Sequence, residues 1–248
     1  MSTIRASLED GVLNLRFARP AKKNALTLEC YDRLAQHMRD AGSDDAVRCI
    51  TLTGEGDAFT SGNDIANFRD ITGREPGGPA ERLMVAIIES AKPLIAAVNG
   101  PAVGVGATML PHFDLVFASE RASFRFPFVQ LGICCEFASS LMLPAAMGLS
   151  RASELLLLGE DIDARKAFEF GLVNRVVPHE LLLESAGAAA RRIAGQPPES
   201  VRVTREFLRR GLREALIARL REERATITGL LERPHARQAM EAFFNRRA

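Results

Sequence analysis

Cysteine is scarce in this chain of 248 residues, which carries four: Cys30, Cys49, Cys134 and Cys135. They are too few and too scattered for a disulfide framework, no Cys-x-x-Cys spacing exists, and the adjacent pair is poorly placed to bridge. Free thiols in a reducing compartment are the expectation. Histidine is equally sparse. His37, His112, His179 and His235 lie far apart and none belongs to a metal-ligand spacing, so no metal is expected. A dominant charge sign is missing too, with 32 Lys and Arg against 31 Asp and Glu. No global field therefore draws the protein to nucleic acid or to a membrane surface, and neither partner is expected. No run approaches the roughly 20 apolar residues that a membrane span needs. The N-terminal stretch lacks a basic region followed by an apolar core, and the C-terminal Phe244-Asn245-Arg246-Arg247-Ala248 matches no peroxisomal address. The expected location is the cytoplasm.

What is present is the composition of a soluble globular protein, 47% hydrophobic and 25% charged, in a chain long enough to bury a sizeable core. Ile4 to Leu8 and Val12 to Phe17 read as strands, with Asp10-Gly11 between them as a hairpin signal. Thr27 is placed to cap a helix whose apolar positions are Leu28, Tyr31, Leu34, Ala35 and Met38. Strands are expected at Cys49 to Thr53, Leu94 to Val98, Asp114 to Ser119, Ala122 to Phe126 and Leu172 to Val177. Helices are expected from Pro79 to Ser90, as a short buried piece from Gly106 to Pro111, and from Ser139 to Met147. Two more run from Arg151 to Leu158, opened by Ser150, and from Asp163 to Phe170. The stretch from Thr72 to Gly78 reads as a mobile surface loop. Three helical segments follow Leu181, the last starting near Pro234, and Phe207, Leu208, Leu212, Leu216, Leu220 and Ile227 in them are suited to packing on the core or on another subunit. Strands alternating with helices, then helices alone, indicate an α/β core with a helical C-terminal lobe.

Two glycine-rich stretches follow apolar strands: Ala58-Phe59-Thr60-Ser61-Gly62-Asn63-Asp64-Ile65, and Asn99-Gly100-Pro101-Ala102-Val103-Gly104-Val105-Gly106. Neither has the Gly-x-Gly-x-x-Gly spacing of a dinucleotide fold or the Gly-Lys-Ser/Thr ending of a P-loop, and no Gly-x-Ser-x-Gly nucleophile elbow exists. If the two loops met, their backbone N–H groups would converge on one anionic atom, as stabilising an oxyanion requires. A lone acid, Glu136, sits in the apolar run Leu131-Gly132-Ile133-Cys134-Cys135-Glu136-Phe137-Ala138. Desolvation there would suit it to moving protons. The alternative is that Glu136 only complements the dipole of the helix beginning at Ser139.

The chain resembles the enoyl-CoA hydratase/isomerase (crotonase) superfamily, closest to the peroxisomal-type Δ3,Δ2-enoyl-CoA isomerases. The resemblance rests on the first glycine stretch, on the run from Lys92 to Gly104, on Phe113-Asp114-Leu115-Val116-Phe117-Ala118-Ser119, and on Gly159 to Val177. It implies a crotonase-like spiral of β-β-α units over residues 1–190. A helical trimerisation region is implied over 191–248, giving a homotrimer or a dimer of trimers. It implies an acyl-CoA thioester as substrate, no cofactor, and backbone N–H groups of Asn63 and Val105 as the oxyanion hole. Ser61, Gly62, Asp64, Ile65, Gly104 and Phe128 are then expected to line the substrate, with Phe68, Leu83, Met84 and Ile87 as candidate pocket walls. The two positions at which hydratases of the family carry glutamates hold Thr108 and Phe128 here, which disfavours hydration. Glu136 falls where the isomerases carry their single catalytic glutamate. The expected activity is transfer of a double bond from 3-enoyl-CoA to 2-trans-enoyl-CoA. Alternatives are another crotonase-type acyl-CoA reaction (hydration, hydrolysis, decarboxylation) or a non-catalytic acyl-CoA-binding or RNA-associated scaffold.

Overall fold

The computed structural model describes residues 3–64 and 76–245. The strands described are β1 (Ile4–Glu9), β2 (Val12–Phe17), β3 (Cys49–Gly54), β4 (Leu94–Val98), β5 (Ala102–Val103), β6 (Leu115–Ser119), β7 (Ser123–Arg125), β8 (Ile162–Asp163) and β9 (Arg175–Val177). The helices are α1 (Leu28–Ser43), α2 (Pro79–Glu89), a single turn α3 (Val105–Thr108), α4 (Ser139–Met147), α5 (Leu149–Leu158) and α6 (Ala164–Glu169). After β9 come α7 (Leu182–Ala194), α8 (Pro198–Arg209), α9 (Leu212–Leu231) and α10 (Pro234–Asn245). Asp10 and Gly11 turn the chain with φ of 50° and 75°, the left-handed pair that a tight hairpin needs. That hairpin is the antiparallel edge of a six-stranded sheet ordered β1-β2-β3-β4-β6-β9, in which every later pairing is parallel.

A smaller sheet, ordered β5-β7-β8, stands beside it. The chain alternates between the two: β4 of the large sheet leads into β5 of the small one, β6 leads into β7, and β8 leads through α6 into β9. This winding is the expected β-β-α spiral. β3 and β4 are buried at every position, as strands covered on both faces are. Leu94, Ala96 and Val98 enter the main core with α1 and α2, while Ile95 and Ala97 meet Leu182, Ala186 and Ala190 of α7 in a second, smaller core.

Local signals explain where elements begin. The Thr27 side chain accepts from Cys30 N–H at 3.3 Å, and Asp163 accepts from Lys166 N–H at 2.7 Å. Three expectations are corrected. Helix α5 starts at Leu149 behind Gly148 (φ 81°), not at Arg151 behind Ser150, because Gly148 closes α4 through Pro144 C=O and offers its own carbonyl to Ala152. Leu172 and Val173 are not strand residues, because both direct their N–H groups at Ala167 C=O and finish α6. The ladder to β6 starts only at Asn174, whose N–H reaches Val116 C=O at 2.8 Å. Finally, four helices rather than three follow Leu181, because the chain is interrupted at Pro197-Pro198 and again at Gly211 (φ 80°).

The C-terminal helices pack on their own chain. Leu216 and Leu220 enter the main core, and the Asp114 carboxylate joins β4 to α8 by accepting from Leu94 N–H at 2.7 Å, Arg205 Nε at 2.8 Å and Arg209 Nη2 at 2.8 Å. Phe207, Leu208 and Leu212 stay exposed. Residue 190 lies within α7. Among the described residues, no helix is long and apolar enough to cross a membrane.

Candidate active site

β3 and β4 are parallel neighbours, paired from Ile50↔Leu94 to Thr53↔Ala97. The loops leaving their C-terminal ends therefore emerge side by side, where open parallel sheets place their ligands. Asn99 ties the two together. Its Oδ1 accepts from Gly54 N–H at 3.1 Å, and its Nδ2 donates to Gly56 C=O at 2.8 Å. Further along, Phe59 and Thr60 N–H share the Pro101 carbonyl at 3.1 Å, and Val103 N–H returns to Thr60 C=O at 3.0 Å. Gly62 then passes so close that a Cβ on it would stand 2.7 Å from Val103 C=O, at a φ of 87°. Only glycine fits both conditions.

Asn63 and Val105 each follow directly on the close contact between the loops. A parallel bridge joins Asn63 to Leu26 through Leu26 N–H on Gly62 C=O (2.8 Å) and Asp64 N–H on Leu26 C=O (2.9 Å). Consecutive N–H groups alternate across an extended chain, so Asn63 N–H faces the other side. Val105 begins α3, where first-turn N–H groups have no partner within the helix. Gly104 ahead of it has φ 57° and ψ −120°, and among the described residues a Cβ there would meet nothing within 4 Å.

The remaining expected residues divide. Ser61 donates its N–H to Lys23 C=O at 2.9 Å, and the Asp64 carboxylate forms an ion pair with Arg19 at 3.0 Å, which ties the loop to the preceding segment. Phe128 is buried in the main core, where its carbonyl accepts from Leu131 and Ile133 N–H. Leu83, Met84 and Ile87 are core residues of α2. Ile65, Phe68 and the loop expected from Thr72 lie wholly or partly outside the described residues.

Glu136 stands in the turn before α4, flanked by buried Ile133 and Phe137. Its surroundings show where the donors at the start of α4 go. Ser139 N–H takes Glu136 C=O at 3.1 Å, Leu141 and Met142 N–H both take Ala138 C=O, and Ala138 and Ser140 N–H are held by the Glu223 carboxylate at 2.6 and 3.1 Å. The donors at the start of α4 are thus accounted for without the Glu136 side chain. The carboxylate serving the helix start comes from α9.

Tyr31 reaches the first loop from α1 and feels the charge of Glu136. Its hydroxyl donates to Asn63 Oδ1 at 2.5 Å. Burial raises its pKa well above the usual phenol value, and the negative charge of Glu136 raises it further. Cys134 and Cys135 donate toward Glu223, to its C=O at 3.7 Å and to Oε1 at 3.8 Å. Burial first, and then the Glu223 charge, push both thiols up, Cys135 to about 11, which keeps them protonated at neutral pH. Among the described residues, no group of three or more His, Cys, Asp or Glu side chains is placed to hold a metal.

The sequence reading missed Glu223, His112 and the hydroxyl of Tyr31. A signal for Glu223 existed. It falls on the stripe of Leu216, Leu220 and Ile227, an acid at an apolar position, and it is 5% exposed.

Two sheets wound by β-β-α units, with paired glycine loops at the ends of adjacent parallel strands, define a crotonase-class fold. The chain belongs to the enoyl-CoA hydratase/isomerase family, which it matches over residues 7–248. It is 36% identical to the human protein named enoyl-CoA delta isomerase 2, over 99% of this chain and 64% of the relative, so it spans less than two thirds of that protein's length. It is 34% identical to mouse peroxisomal enoyl-CoA delta isomerase 3, over 99% of this chain and 79% of the relative. The crystal structure of an enoyl-CoA hydratase/isomerase from Pseudoalteromonas atlantica superposes with a TM-score of 0.94 at 39% identity, covering 99% of this chain and 98% of the other.

Proposed function

We propose that this protein is an enoyl-CoA isomerase that converts 3-enoyl-CoA to 2-trans-enoyl-CoA. Asn63 and Val105 N–H groups hold the thioester oxygen. Glu136 removes a proton from C2, the electron pair delocalises over the thioester oxygen and C4 as a dienolate, and Glu136 returns the proton at C4. One acid suffices, because the proton that leaves C2 is available for C4. Each oxyanion donor contributes about 3 kcal/mol in the transition state. No metal or redox cofactor takes part. The protein assembles as a homotrimer or a dimer of trimers, and the exposed Phe207, Leu208 and Leu212 support that reading.

The observation that carries the proposal is the helix-start accounting at α4. Glu223 takes the donors that a merely structural Glu136 would have used. The two positions where a hydratase needs acids hold Thr108 and Phe128, both buried, and human and mouse relatives bear isomerase names. Glu136→Gln should lower the isomerisation kcat by about 10³-fold or more, while calorimetry shows CoA-ester binding retained. Turnover like that of the wild type in this variant would reject the assignment.

A further inference from the structure

The turn carrying Glu136 is left-handed at two successive residues that are not glycine, Phe137 with φ 62° and Ala138 with φ 54°. Residues with a Cβ adopt this conformation only when their surroundings hold them there. Two buried side chains grip the peptide group between Phe137 and Ala138, one at each end. His112 Nε2 donates to Phe137 C=O at 2.8 Å, and the two rings stack with centroids 4.2 Å apart. At the N–H end of the same peptide, Glu223 Oε2 accepts from Ala138 N–H at 2.6 Å, while Oε1 takes Ser140 N–H at 3.1 Å, Ser140 Oγ at 2.5 Å and Cys135 Sγ at 3.8 Å. Only a carboxylate offers two acceptor oxygens for so many donors.

Both grips are anchored in the C-terminal helices. Glu223 belongs to α9, and α8 fixes His112 through Arg209 Nη2, which donates to His112 C=O at 2.7 Å. Arg219 of α9 adds a bond to Ser140 Oγ at 3.1 Å. The residues immediately following Glu136 are therefore positioned from outside their own segment, by groups with no place in the chemistry proposed above.

We infer that Glu223 and His112 are positioning residues that hold Phe137 and Ala138 left-handed and thereby aim the Glu136 carboxylate at the substrate. The inference rests on the reading of Glu136 as the base. A plain helix cap would govern stability alone, whereas a positioning residue governs turnover per folded molecule.

The test combines steady-state kinetics on 3-enoyl-CoA, calorimetric binding of a saturated acyl-CoA, and crystal structures of Glu223→Gln, His112→Phe and His112→Gln. Gln at 223 keeps the volume but sets an NH2 group against backbone N–H donors. Its kcat should fall by about 100-fold, since a misplacement near 1 Å has that effect, with KM and acyl-CoA affinity within about threefold of the wild type. His112→Phe keeps the stacked ring and loses the donor, so kcat falls in the same way, and His112→Gln, which restores an N–H donor, recovers most of it. The Glu223→Gln crystal structure should show Phe137 and Ala138 outside the left-handed region.

A folded Glu223→Gln variant with kcat within about threefold of wild type, or one whose Phe137 and Ala138 keep positive φ, overturns the inference. If Glu223→Gln does not fold, the His112 pair decides, and His112→Phe turning over like wild type overturns it. If wild type itself isomerises no 3-enoyl-CoA, the functional reading falls, and the φ angles in the variant structures alone judge the positioning claim.

Discussion

The loops after β3 and β4 are held by backbone. Thr60, Pro101, Val103, Gly62 and Leu26 exchange main-chain hydrogen bonds, and side chains enter mainly as the amides of Asn24 and Asn99, which bind Ala58 C=O at 2.8 and 3.2 Å. The turn carrying Glu136 is held by side chains from distant parts of the chain, His112 before it and Glu223 far beyond it. The first construction fixes N–H directions by strand geometry and tolerates many side chains. The second fixes one carboxylate and depends on each of its two grips. On the proposed mechanism, the polar cradle and the aimed base are each held by a different device.

The backbone-held side should break hardest where two main chains touch. Gly62→Ala places a Cβ 2.7 Å from Val103 C=O at a φ of 87°, and is expected to cost on the order of 4 kcal/mol. Thermal unfolding should show a Tm lowered by roughly 10 °C, together with a loss of acyl-CoA binding.

The side-chain-held half should instead break with pH. Burial, aided by the Arg209 charge, lowers the His112 pKa from its ordinary 6.5 to about 4. Protonation would also bury an Nδ1–H with no acceptor among the described residues. Between pH 6.5 and 4 the unfolded chain takes up a proton that the folded one refuses, so this contribution to stability is complete above pH 6.5 and is lost as pH falls toward 4. Denaturant melts at pH 7 and pH 4.5 should differ by about 2–3 kcal/mol more in the wild type than in His112→Gln. Equal differences in the two proteins would remove His112 from the account.

The smallest effect is expected at the joint between the halves. Tyr31→Phe removes the hydroxyl that holds Asn63 Oδ1 and leaves the ring in the core. Loss of one such bond, about 1 kcal/mol, should lower kcat/KM about fivefold, with Tm nearly unchanged. A fall as large as that of Glu136→Gln would mean that the two halves are not separable.

The same division decided what the sequence revealed. Glycines betray close backbone approach, so both loops and their strands were legible from Gly62, Gly104 and the apolar runs before them. Glu136 draws notice as an acid in an apolar run, and its role rests on the proposal above. The left-handed turn was not, since Phe137 and Ala138 carry no mark of positive φ. Glu223 was hidden among three neighbouring charged residues of Arg221-Glu222-Glu223-Arg224, and only its phase with Leu216 and Leu220 gives it away. Tyr31 was read correctly as core by its helical spacing, which says nothing of where its hydroxyl ends. Leu172 and Val173 looked like strand by composition, and a helix terminus claimed their N–H groups first.

The central claim is that one carboxylate works beside an oxyanion pair, with Thr108 and Phe128 where hydration would need acids. Product analysis by mass spectrometry and chromatography, on 3-cis-, 3-trans- and 2-trans-enoyl-CoA incubated separately with the protein, tests it directly. The account predicts 2-trans-enoyl-CoA from both 3-enoyl substrates and no appreciable 3-hydroxyacyl-CoA from the 2-trans substrate. Rapid formation of 3-hydroxyacyl-CoA, or no conversion of either 3-enoyl substrate, would contradict it.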